Sequence, residues 1–403
     1  MPPSTGTPRR RPRTPARAAV LLMACLALAG CGSSGSSGQE VELVAGGGDQ
    51  TGPNGTAADA RLEASRLVDM AATADGTVRV LAETATGPVL WTVSPEGQLR
   101  RTPVAGLEGS PTQMAVDPGG TVHVVTGQPG VWRVDPRGTA TQVVGDGRLG
   151  WSRDGTPAGG AALGLVGAVA AGPNGELYFT EQTSDPGTAT LVRMVRPDGT
   201  LRTVAGTRRV PADGQARERA IAAGFKPAPG TPATGVLLFD TTQRALAAAG
   251  DGTLYVTTRG GVLAVRDGAV SPLLAPQAPD RDTVAAEPFE REARAGEVNL
   301  DLAGPQRPDL AVDPGGNLYL VQQELEDDVP EGFRWSGELG GAEALARSLF
   351  DGTVRSRVRR ITPGGEVSTA AWAASEVAAA GDRLYLAALA GDGRALVVSL
   401  RPR

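Results

Sequence analysis

Thiols, imidazoles and ammonium groups are nearly missing from this chain of 403 residues. Both cysteines, Cys25 and Cys31, lie at its N-terminal end, so everything after Cys31 has no thiol. Disulfides, thiol nucleophiles and zinc–thiolate centres are excluded there. The one histidine, His123, would have to serve any histidine-ligated metal centre or Ser-His-Asp triad. It stands in an alternating segment where sister segments carry Tyr, and it reads as a packed strand residue. No nucleophile-elbow motif accompanies it. Lys226 is the only lysine among 39 basic residues. Beyond the N-terminus no apolar run approaches the ~20 residues that a membrane-spanning helix needs.

The N-terminus itself is distinctive. Its first thirty residues hold Arg9, Arg10, Arg11, Arg13 and Arg17 and no acid, and an uncharged run follows from Ala18 to Ala29. A basic region before a short apolar one is the pattern of an export signal. Leu28-Ala29-Gly30-Cys31 resembles the bacterial lipobox, which implies lipidation at Cys31, cleavage before it, and a lipid-anchored (palmitate-type) protein on the extracytoplasmic face of the cell membrane. Acyl chains contribute about 0.8 kcal/mol per buried methylene, and more than one chain anchors stably. The alternative is an ordinary signal peptide that contains a cysteine. The export route, Sec or twin-arginine, stays open. Loss of five arginines and no acid takes the formal charge from −5 to about −10. Such an acidic body argues against nucleic acid as a partner. The expected organisation is a signal peptide over 1–30, a lipidated Cys and Gly/Ser tether over 31–39, and one domain over 40–403.

That domain repeats. Leu310–Leu320 (LAVDPGGNLYL) matches Met114–Val124 (MAVDPGGTVHV). Val169–Phe179, Leu246–Val256 and Met70–Val80 follow the same plan, and Val377–Leu386 is a shorter sixth copy. Each is an apolar strand, a Gly-containing turn and a second strand, and the Asp-Gly, Asn-Gly and Gly-Gly pairs suit primed hairpin turns. Third and fourth strands follow in most copies. Four antiparallel strands in six units predict an all-β, six-bladed propeller. The sixth unit runs out of chain after three strands. Glu40–Gly46 (EVELVAG) resembles Leu201–Gly206 (LRTVAG), a fourth strand, so the N-terminal strand is expected to close the last blade.

The segments Leu43–Gly48, Gly52–Leu62 and Met70–Val80 together resemble the NHL-repeat family of bacterial propellers over about 41–403. The resemblance implies the fold far more strongly than any function. The acid that usually ends the second strand is replaced by Ala82, Thr126, Thr258, Gln322 and Ala388, and only Glu181 keeps a carboxylate.

In such a blade the 1–2 and 3–4 turns share one face, and the 2–3 and 4–1 connections share the other. The second set contains the long excursions, 47–66, 146–164, 207–243, 276–307 and 324–356, with seven of the fifteen aromatics (Trp151, Phe225, Phe239, Phe289, Phe333, Trp335 and Phe350). Long loops on a rigid frame are where binding concentrates. Inner strands open on that face at Asp69, Gln113, Ala168, Ala245, Asp309 and Glu376. Ring closure makes Asp309, Glu376, Asp69 and Gln113 consecutive around the channel mouth, a candidate ligand or metal site. Converging carboxylates hold a hard cation such as Ca²⁺, pair with an arginine such as Arg244 or Arg307, bind a basic ligand, or take raised pKa values; solvated side chains in a wet channel are the plain alternative. Two functions follow. One is a non-catalytic platform for a protein or small-molecule ligand, to which the acidic insertion 324–331 and the helix-like 342–350 could add a docking element. The other is a divalent-metal hydrolase resembling six-bladed lactonases, with metal-activated water, although Asn174 and Asn317 fall at turns on the opposite face.

Overall fold

The computed structural model describes residues 41–51, 54–183, 189–238, 245–258, 261–274, 293–294, 309–323, 356–372, 374–389 and 393–402. The signal region, Cys31, the tether, Arg244, Arg307, Phe239, Phe289, Phe333, Trp335, Phe350, the insertion 324–331 and nearly all of 276–307 and 324–356 lie outside these residues. All described strands belong to the unit Gly38–Arg403.

Six separate antiparallel sheets form six blades. Their inner strands are Arg66–Ala72, Gln113–Val116, Leu165–Ala171, Leu246–Ala248, Leu310–Val312 and Glu376–Ala380. Each touches the next, and the sixth touches the first, so the ring closes. Blade six takes three strands from the C-terminus and its fourth from Val41–Ala45, paired antiparallel with Arg394–Leu400 from Val41↔Leu400 to Ala45↔Val397. Gly46 shows why the Val-Ala-Gly ending recurs. It has φ +94°, and a Cβ there would lie 2.1 Å from the Ala395 carbonyl oxygen. Gly206, ending the fourth strand of blade three, has φ +87° and the same constraint against Thr190. Only glycine meets both demands.

The hydrophobic core lies at the seams between blades, in six clusters, one per seam. Between blades two and three, for example, Val125, Val131 and Val144 pack with Val169, Phe179 and Leu201. The first and last blades share a cluster too, with Val80 and Trp91 against Tyr385 and Val397. Sheets buried on both faces need apolar residues at most positions, which explains why the strands read as continuous Val/Leu/Ala runs. A fully buried Leu or Val stabilises by roughly 1.5–3 kcal/mol, so every seam contributes and no blade has a core of its own.

Two expectations about connections are corrected. Five of the six 1–2 turns are not of the primed type, which needs positive φ at the first central residue; in blade six the two-residue loop Gly381–Asp382 between the paired Ala380 and Arg383, with Gly381 at φ +60°, keeps the primed geometry. Gly76, Gly120, Gly175, Gly252 and Gly316 have positive φ, but Asp267 is the only non-glycine that does among the described residues. Each of those five turns instead closes by a bond such as Gly76 N–H to Thr73 C=O (2.8 Å), with the glycine alone left-handed. That is the longer hairpin built on a type I turn. The pair Asp267–Gly268 is the one place where both central residues are left-handed. The 4–1 connections also do not stay on one face. Parts of them return along the outer edge of the following blade: Asn54–Thr56 pairs with Gln98–Pro103, Thr231–Pro232 with Ala269–Leu274, and Ala293–Arg294 with Glu366–Trp372. They cover edges that would otherwise present unpaired backbone. The 207–243 excursion further contains a helix, Gly214–Phe225, capped by Asp213, which accepts the Ala216 N–H at 2.7 Å. An Asp before an Ala-rich run was a legible helix start.

Candidate functional site: the channel mouth and the top of blade three

Closure brings the mouth acids together as expected. Carboxylate oxygens of Asp69, Asp309 and Glu376 lie within 4.8 Å of one another. Their surroundings differ from a solvated channel. Asp69 and Asp309 are buried, and Glu376 is half-buried. Asp69 accepts the N–H of Met70 (2.7 Å) in its own strand and of Met114 (2.6 Å) in the next blade. Asp309 repeats the arrangement with Leu310 (2.7 Å) and, across the seam, Val377 (2.5 Å). Gln113 does the same with its amide oxygen on Val169 of blade three (2.9 Å). These side chains therefore stitch one inner strand to the next. At Ala168 and Ala245 the position has no side chain that could do so, and the Ala168 N–H goes to Thr180 Oγ1 instead (2.9 Å).

Burial pushes the Asp309 carboxyl up to about 6, against the opposing pull of the Val377 and Leu310 N–H groups. The arginine partners named for this site, Arg244 and Arg307, fall outside the described residues. Asn174 and Asn317 stay in their turns, bonded to Glu176 and Asp313.

His123 lies toward the turn face. Its Nε2 faces Asp117 Oδ2 at 3.5 Å, and burial lowers its pKa despite that carboxylate. Tyr319 occupies the equivalent place in blade five and donates to Asp313 (3.0 Å). The imidazole therefore fills a structural slot shared with tyrosine, as its strand position suggested.

A second constellation was not assembled from the sequence. Glu181, the lone acid at a second-strand end, is fully buried and pairs at 2.7 Å with Arg193, also fully buried, from the third strand. The other Glu181 oxygen accepts the Gly164 N–H (2.9 Å), and Arg193 donates to the Ser152 carbonyl (2.9 Å) and stands 3.6 Å from Asp154. Burial pushes the Glu181 carboxyl up while Arg193 pulls it down. The pair thus pins two segments, the entry to the inner strand at Leu163–Leu165 and the excursion 146–154. Those segments bridge each other at Leu149↔Leu163. They carry three of the four large exposed hydrophobics among the described residues: Leu149 (71% exposed), Trp151 (41%) and Leu165 (42%). The Arg208 guanidinium stacks on the Trp151 ring, 4.2 Å from its centroid. The signals were present, namely a single retained acid and an aromatic in a long loop. The third-strand arginine that joins them could not be found without register.

Fold and site together define a six-bladed β-propeller with buried inter-blade carboxylates. No family model matches the chain, and no curated protein matches it in sequence. Solved structures do. A structural-genomics protein of unknown function from Bacteroides thetaiotaomicron aligns with TM-score 0.50 and 14% identity over 91% of this chain and 76% of its own. An auxiliary nutrient binding protein from the same bacterium aligns with TM-score 0.50 and 9% identity over 90% and 76%. A gluconolactonase from Xanthomonas campestris aligns with TM-score 0.44 and 14% identity over 85% and 88%. The two alignments at TM-score 0.50 agree with the propeller fold, and at such identities they speak to the fold alone.

Proposed function

We propose that the chain is a lipid-anchored, extracytoplasmic propeller of the NHL kind that serves as a non-catalytic binding platform through its long-loop face. The observation that carries this reading is the top of blade three, where a buried ion pair holds three large apolar side chains out in solvent. Exposing such residues together costs solubility and is kept where a partner covers them. The fold hosts both ligand binders and lactonases and does not choose between them. The strand Val41–Ala45 runs from the turn face toward the loop face, because its partner strand runs the opposite way. The first described strand therefore starts on the turn face, opposite the long loops.

The test is site-specific photo-crosslinking of the full chain in cells. A photoreactive residue at Leu149 on the loop face should give a discrete adduct, and one at Asp267 on the turn face should not. Adducts from Asp267 alone, or from neither position, would reject the platform.

The acidic trio supports a second reading, a divalent-metal site such as Ca²⁺ in a lactonase-like hydrolase. Ca²⁺ takes six to eight oxygen ligands. Three carboxylates supply part of that set, and those of Asp69 and Asp309 already accept two backbone N–H groups each. Thermal unfolding with Ca²⁺, Mg²⁺ and EDTA, repeated on Asp309→Asn and Glu376→Gln, decides it. A cation-induced rise in Tm that both variants abolish favours the metal; no rise leaves the platform.

A further inference from the structure

We infer that the top of blade three docks an acidic protein segment that carries apolar side chains. This rests on the binding-platform reading and adds the chemistry of the partner. The apolar part is a stripe from Leu165, which opens the inner strand, through Leu149 to Trp151. Its surroundings are basic. Residues 146–154 and 207–209 contain Arg148, Arg153, Arg208 and Arg209 against Asp146 and Asp154. Both acids are engaged locally: Asp146 pairs with Arg148, and Asp154 accepts the N–H and hydroxyl of Thr203 (2.9 and 2.8 Å). These described segments carry four arginines against two acids, on a chain whose formal charge is −5. Their field attracts acidic groups and repels basic ones.

The patch is also rigid. Glu181 and Arg193 hold both contributing segments from below, and Arg208 covers one face of Trp151. A partner that lands here orders few side chains further, which lowers the entropic cost of association. Trp and Arg side by side are the residue types that dominate binding energy in interfaces. At the position filled elsewhere by Ala82, Thr126, Thr258, Gln322 and Ala388, blade three alone keeps an acid, Glu181, and with it this charged post.

The experiment uses the full chain in its native envelope with the photoreactive residue at Leu149, and sequences the crosslinked partner segment by mass spectrometry. The expected segment has net negative charge and aliphatic or aromatic side chains. Trp151→Ala should lower adduct yield about tenfold, and Arg153→Glu with Arg209→Glu roughly fivefold. All three positions are surface sites, and an unchanged Tm verifies folding. A basic or uncharged segment, a lipid adduct, a second copy of this chain, or a yield insensitive to the arginine reversals would overturn the inference. Any of these leaves the platform reading standing, whereas loss of all loop-face adducts removes the platform itself.

Discussion

The channel mouth and the top of blade three both bury carboxylates, and they solve the cost differently. At the mouth, Asp69 and Asp309 are met by backbone N–H groups from two blades. In blade three, Glu181 is met by a guanidinium, and only one of its oxygens takes a backbone N–H. Neutral donors leave the negative charge in place, so at Asp309 a proton competes for it. A guanidinium cancels the charge but adds a second buried ion, which is expensive to leave unpaired. The mouth is therefore a seam fastening whose strength is expected to vary with pH, and the blade-three pair is a post that holds loops outward.

Both regions depend on closure, and the largest effect should come from breaking it. Removal of residues 40–46 separates blade six from its fourth strand and loosens the ring that brings Asp309, Glu376 and Asp69 together. Tm should fall by roughly 10 °C or more, as read by calorimetry; an unchanged transition would refute closure by the N-terminal strand.

Next comes the blade-three pair. Glu181→Gln leaves Arg193 without its buried counter-charge, with only the half-exposed Asp154 at 3.6 Å, and should cost about 3–5 kcal/mol in denaturant unfolding. Replacing both, with Glu181→Gln and Arg193→Met, should cost clearly less. Equal losses would mean that the pair is not the post described here. At the mouth, Asp309→Ala strips acceptors from two buried N–H groups and should cost on the order of 2–4 kcal/mol, with Asp309→Asn milder because its amide oxygen still accepts one of the two.

The mouth should show a pH signature of its own. The folded Asp309 carboxyl sits near 6 against an ordinary value of 3.8. The folded state therefore holds this proton more tightly than the unfolded chain. That stabilisation is full below the unfolded value and is lost as pH rises from about 4 through about 6, by at most about 3 kcal/mol. Asp309→Asn should flatten this part of the stability–pH curve. A cation bound by the trio would offset the loss above pH 6, so the same titration with Ca²⁺ sharpens the choice between fastening and metal site. The smallest stability effect is expected at Trp151. This residue is 41% exposed, and Trp151→Ala should change unfolding by less than about 1 kcal/mol while lowering the crosslink yield from Leu149 about tenfold.

How far each feature was legible follows from the range of the signal. Strand–turn–strand repeats, the Val-Ala-Gly endings and the convergence of Asp309, Glu376 and Asp69 are written in local patterns plus one closure rule. The role of those acids was not legible, because a solvated carboxylate and one bonded to the Met114 or Val377 N–H look identical in sequence. The edge strands from the long connections escaped notice since runs such as Asn54–Thr56 carry no alternation. Their pairing depends on the exposed edge they find.

Periodic apolar runs and glycines at left-handed positions thus determined the blades, their number and the order in which they meet, since these depend on backbone and burial preferences acting over a few residues. Tertiary structure alone decided which buried charges are paired and by what. A third-strand arginine reaches Glu181, and a neighbouring blade's backbone reaches Asp69 and Asp309, only when the ring sets separate segments within hydrogen-bond distance. Coulombic and hydrogen-bond energies change over ångströms, a scale on which sequence separation carries no information.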